Sequence, residues 1–103
     1  MIRIFWLAAL LTISAAHNSS GDEIARGEEL ALRWCSGCHV IGPDAAGGDA
    51  GPPFPAIAAR PEQSEAALQT WIAMPHPPMP DLDLAAPELD ALTKYILSLK
   101  DGG

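Results

Sequence analysis

Glycine and proline make up 19 of the 87 residues that follow Ala16, against only 21 bulky apolar side chains (Val, Ile, Leu, Met, Phe, Trp, Tyr). That share, about 22% of the segment, approaches the roughly 25–30% at which a chain without periodic order reads as disordered. The nominal 49% apolar content of all 103 residues does not relieve the shortage, because 18 alanines carry much of it. A domain of this size buries only a little over ~60% of its unfolded surface even with a favourable composition. Something other than side chains is expected to fill the core.

The count begins at His17 because residues 1–16 read as a secretory signal. Arg3 is the positive n-region, Ile4 to Ile13 the apolar h-region, and Ser14-Ala15-Ala16 the small residues of a cleavage site. The apolar run is shorter than the roughly 20 residues a bilayer-spanning helix needs. Residues 17–103 are therefore expected as one periplasmic domain without a membrane span. Loss of Arg3 takes the formal charge from −7 to −8, which excludes a basic nucleic-acid binder as the default. Retention of residues 1–16 as an anchor would instead make a membrane-tethered subunit, and the mass of the mature N-terminus separates the two.

Three segments have helical patterning. The first, Asp22 to Trp34, carries acids in its opening turn and offers Ile24, Gly27, Ala31 and Trp34 as an inner face. The second, Glu62 to Met74, has Ser64 as a candidate N-cap and Leu68, Trp71 and Ile72 as its stripe. The third, Ala86 to Lys100, places Leu89, Leu92, Ile96 and Leu99 at steps of three and four. No strand alternation or internal repeat is visible. Between the first two helices lies a Gly/Pro-rich loop, Ile41 to Arg60. A loop of about 20 residues inside a small domain is unusual, and this one is expected to wrap something.

Cys35-Ser36-Gly37-Cys38-His39 contains the chain's two cysteines, at the spacing of covalent c-type haem attachment. In that chemistry two thiols add to the haem vinyl groups and the following histidine ligates iron. The competing readings are a redox dithiol, a zinc half-site and a plain disulfide. A dithiol oxidoreductase wants a βαβ setting that the pattern lacks, and zinc wants two further ligands that isolated His17 and His76 do not supply. The export signal adds a compartment in which haem attachment occurs.

On that motif, with Gly27 eight residues before Cys35 and Gly51-Pro52-Pro53-Phe54 after it, nearly all of residues 17–103 resembles the small mono-haem class I c-type cytochromes of bacteria. The resemblance implies an all-α class I cytochrome c fold, with three main helices and long Gly/Pro-rich loops wrapping one covalently bound haem c. It implies that Gly27, which costs a helix about 1 kcal/mol relative to Ala, permits a close crossing with the last helix at Tyr95. Relatives often carry an aromatic where this chain has Ala31, so Trp34 and Tyr95 are expected to fill the crossing. The Pro52 carbonyl would accept the Nδ1 proton of His39, Phe54 would pack on the haem edge, and Arg60 would pair with a propionate. The Trp71 indole N–H would reach a propionate too. The bland alternatives are a surface Arg beside Pro61 and a core aromatic on the helix stripe. Relatives begin the last helix with Ser or Thr three before a Glu, whereas here Ala85 stands three before Glu88. Losing that cap costs about 1 kcal/mol, partly offset by Pro87 near the first turn.

For the sixth iron ligand the candidates are Met79, Met74 and His76, all within or beside a Pro-rich stretch. Met74 would close the second helix in a core role. Met79 sits among prolines whose fixed φ angles preorganise an extended loop, and the resemblance also points to it. His76 is the rival on coordination grounds, although it is expected as a bystander near the exposed haem edge. With His39 and Met79 on iron no position is open, and the expected function is one-electron transfer rather than enzymatic catalysis. The expected partners are redox proteins with a basic docking patch, met by a monomer. A haem-based ligand sensor or peroxidase-like protein with a displaceable Met79 is the alternative. Because the haem is the expected core, the haem-free chain should be largely unfolded. Its circular dichroism should lack a cooperative melt, and a compact apoprotein would overturn this reading of the composition.

Overall fold

The computed structural model describes residues 20–44, 47–74 and 76–100; the expected signal segment lies outside them. α1 (Ser20–Trp34) opens with Asp22 and Glu23 at the positive end of its dipole and closes with Arg33 at the negative end. α2 (Phe54–Ala58) is a single short turn. α3 (Glu65–Ala73) begins where the Ser64 hydroxyl accepts the Ala67 N–H at 3.1 Å. It stops at Met74, whose extended backbone is what a residue before proline adopts. α4 (Ala86–Ser98) completes the set. Among the described residues there is no strand, only two isolated bridges, Val40 with Gly47 and His76 with Met79. No described helix is long and apolar enough to cross a membrane.

The frame of the molecule is the crossing of α1 on α4. A Cβ built at Gly27 would run into the Ala91 carbonyl and lie 2.7 Å from Tyr95 Cβ. Only a residue without a side chain lets the two backbones approach so closely. Around the crossing, Ala31, Cys35, Ile41, Phe54, Ala58, Leu68, Leu92, Tyr95 and Ile96 form one buried cluster. The Tyr95 hydroxyl donates to the Ile41 carbonyl at 2.5 Å, tying α4 to the loop beyond the cysteines. Burial pushes the Tyr95 phenol above its ordinary pKa. At the rim, Lys94 of α4 bridges Glu23 of α1 at 2.5 Å.

Several expectations are corrected. Trp34 does not fill the crossing: it is 54% exposed, and Leu30 is buried instead. The core position beyond Ala31 is taken by Cys35, one helical turn on, which rotates Trp34 outward. The 41–60 segment is not all loop, since α2 forms within it. Phe54 and Ala58, four apart, both turn inward, and Pro55 sits in the first turn where a proline costs no hydrogen bond. Trp71 is not a core aromatic but 55% exposed, and Met74 is exposed as well. The nine-residue α3 turns only Leu68, with half-buried Ile72, toward the core. The last helix is not left uncapped either: the Glu88 carboxylate accepts the Ala85 N–H at 3.1 Å, the half of a capping box that alanine does not abolish.

Gly27→Ala tests the crossing. A helix interior normally gains about 1 kcal/mol from this change, but here the methyl meets backbone that cannot rotate away. A net loss of about 1–3 kcal/mol is expected from overpacking, read as a lower denaturation midpoint of the holoprotein.

Candidate functional site

The cysteine motif leaves α1 through one further turn. The Cys35 N–H donates to the Ala31 carbonyl at 2.9 Å, and the Cys38 and His39 N–H groups donate to the Cys35 carbonyl at 3.1 and 3.0 Å. Cys35 is buried and Cys38 exposed. Desolvation pushes the Cys35 thiol up to about 11. A second stretch of chain then runs back along the motif, held by three backbone bonds: Gly48 N–H to Ser36 O, Gly51 N–H to Cys38 O, and Phe54 N–H to Val40 O, at 2.8, 2.7 and 2.8 Å.

This pairing orients His39. Its Nδ1 lies 2.7 Å from the Pro52 carbonyl oxygen. A carbonyl can only accept, so Nδ1 carries the proton and Nε2 keeps its lone pair. The ring rests against Gly51, where a Cβ would sit 2.7 Å from Nδ1 and 2.9 Å from Nε2, and Phe54 tilts onto it with centroids 5.2 Å apart. Two thiols three residues apart, followed by an imidazole with a free Nε2, form a donor set that fits a covalently tethered haem.

A second constellation lies beyond α3. The His76 and Trp71 rings stack at 4.5 Å, His76 Nε2 is 3.1 Å from Met79 Sδ, and His76 Nδ1 is 2.7 Å from the Met74 carbonyl oxygen. Thus Cys35, Cys38, His39, Pro52 and Phe54 are gathered in one place, and Trp71 and Met79 in another. Arg60 is exposed just beyond α2, and among the described residues no hydrogen bond or ion pair joins its side chain to either group. The His76–Met79 contact was not visible in the sequence, although their separation by two prolines hinted at a tight turn. Nor was the role of Gly51 as the floor under the His39 ring.

Comparison with known proteins decides the family. The chain is 34% identical over 93 residues, covering 88% of both chains, to cytochrome c-552 of Bradyrhizobium diazoefficiens. The chain belongs to the small class I c-type cytochromes. No family model matches this cytochrome. No solved structure matches it. Its helical architecture is that of the all-α cytochrome c fold, and membership makes it an electron-carrier protein with haem c as the family's cofactor.

In this cytochrome Gly51→Ala should force the His39 ring off Gly51 and break the bond to Pro52, because the added methyl meets the ring itself. Where such a bond orients a histidine that ligates a metal, its loss typically costs 10–100-fold in metal affinity or activity. A lower yield of holoprotein and a perturbed His39 ring resonance are expected, against an unperturbed Ala50→Gly control.

Proposed function

We propose that the chain is a periplasmic one-electron carrier whose single haem is tethered through Cys35 and Cys38 and ligated by His39 and Met79. The observation that carries this reading is the 2.7 Å contact of His39 Nδ1 with the Pro52 carbonyl. That bond leaves Nε2 as the one free donor of a ring placed directly after two thiols. The haem, when bound, supplies the Fe(III)/Fe(II) couple.

The chain's own residues do the rest. Pro52 fixes the tautomer of His39 and raises the basicity of its ring. Met79 offers a soft thioether, which favours the ferrous state and raises the potential. The Trp71 indole N–H and the Arg60 guanidinium are the donors available to propionates, and Phe54 holds the histidine ring from the side. With His39 and Met79 both holding the iron, no position would be open to substrate or dioxygen, which suits a carrier better than a sensor or peroxidase.

Residues 1–16 supply the export signal of this proposal, and their removal leaves the formal charge of −8. That charge steers the protein toward a basic patch on its redox partners. Contacts of this kind bury less than about 1,200 Å² and are brief.

The test is the absorption spectrum, oxidised and reduced, of the protein made with haem-maturation machinery. Wild type should hold one covalent haem, show the charge-transfer band of thioether-bound ferric iron, and ignore carbon monoxide. Met79→Ala should lose that band and drop in potential by at least about 60 mV, a tenfold shift in a one-electron equilibrium. An unchanged band in the variant would remove Met79 from the iron, and a haem-free product would remove the whole reading.

A further inference from the structure

We propose that His76 is a reserve iron ligand: when the Met79 thioether leaves the iron, the His76 imidazole takes its place through Nε2. This rests on Met79 as the resident ligand and goes beyond it.

Three contacts build the case. First, His76 Nε2 stands 3.1 Å from Met79 Sδ, because the turn between them is closed by the Met79 N–H donating to the His76 carbonyl at 3.3 Å. Replacing one donor by the other therefore needs a shift of a few ångströms and no refolding. Second, His76 Nδ1 lies 2.7 Å from the Met74 carbonyl oxygen. An oxygen that only accepts puts the proton on Nδ1 and the lone pair on Nε2, the same arrangement that Pro52 imposes on His39. Ligating histidines almost always donate their other ring N–H in this way, and the chain does so twice. Third, Trp71 stacks on the His76 ring at 4.5 Å and 32°, which restrains the ring plane. Two lone-pair donors side by side suit a shared electrophile better than each other.

The exchange is balanced as it stands. One iron–sulfur bond breaks and one iron–nitrogen bond forms, both ligands are neutral, Nδ1 keeps its proton, and no electron moves. Iron remains six-coordinate, so loss of the thioether lowers the potential without opening a site for gas or peroxide. A carrier with this device fails closed.

The experiment compares holoprotein of wild type, His76→Ala, Met79→Ala, Met79→Leu and the double variant Met79→Ala/His76→Ala, with far-ultraviolet circular dichroism to show that each is folded. Met79→Leu keeps the apolar volume, so a packing defect in the alanine variant is separable. His76→Ala should retain the thioether charge-transfer band. Both single Met79 variants should be low-spin with the spectrum of two imidazole ligands, and the double variant should turn high-spin and bind carbon monoxide at least tenfold more tightly than Met79→Ala. High-spin single variants that bind carbon monoxide as readily as the double variant would overturn the reserve role while wild-type ligation by Met79 stands. A wild type without the thioether band, whose low-spin state is lost in His76→Ala, would make His76 the resident ligand and overturn both readings.

Discussion

Everything in this small protein hangs on the absence of one side chain, at Gly27. Where α1 meets the Ala91 carbonyl and Tyr95 Cβ, backbone packs on backbone, and the close approach brings Ala31, Leu92 and Ile96 into a shared cluster. The glycine weakens its own helix, yet tertiary contact more than repays the loss, since helices this short draw most of their stability from packing. Once α1 and α4 are locked, the next turn after α1 has nowhere to go but along the core, and that turn is the cysteine motif.

From there control passes through backbone hydrogen bonds rather than bulk. The segment from Gly48 to Phe54 is stitched to residues 36–40 by three of them, and the Tyr95 hydroxyl secures the carbonyl of Ile41, the next residue along. Segments that read as punctuation thus behave as a fitted collar. The prolines leave fewer donors to satisfy, and the N–H groups of Gly48, Gly51 and Phe54 are spent on the motif and the residue just beyond it. The orientation of the His39 ring is the product of this collar, through the Pro52 carbonyl and through Phe54 set against the ring.

Much of this was legible because the informative signals are local. The thiol spacing, the Gly51-Pro52 pair, the Ser64 cap and the three- and four-residue steps of α4 each depend on residues near one another in sequence. What escaped depended on a change of direction. Trp34 fits the inner stripe of α1 by periodicity, but the stripe ends where the chain turns and buries Cys35 in its place. α2 was hidden because Pro53 and Pro55 read as loop although proline is tolerated at a helix start. Trp71 sits on the α3 stripe and Met74 at its end, yet a nine-residue helix turns one short face inward, and Leu68 with half-buried Ile72 takes it. The pairing of His76 with Met79 arises across a turn, where no periodicity applies.

The two cysteines, three residues apart, live in different worlds. Cys38 is open to solvent, while Cys35 is 6% exposed inside the cluster that joins α1, α2 and α4, where desolvation pushes its thiol above the ordinary range. A catalyst cannot reach a sulfur in that position without prising the helices apart. Any bond made at Cys35 must be made before the domain closes, so the order of events during maturation is written into the burial of one atom.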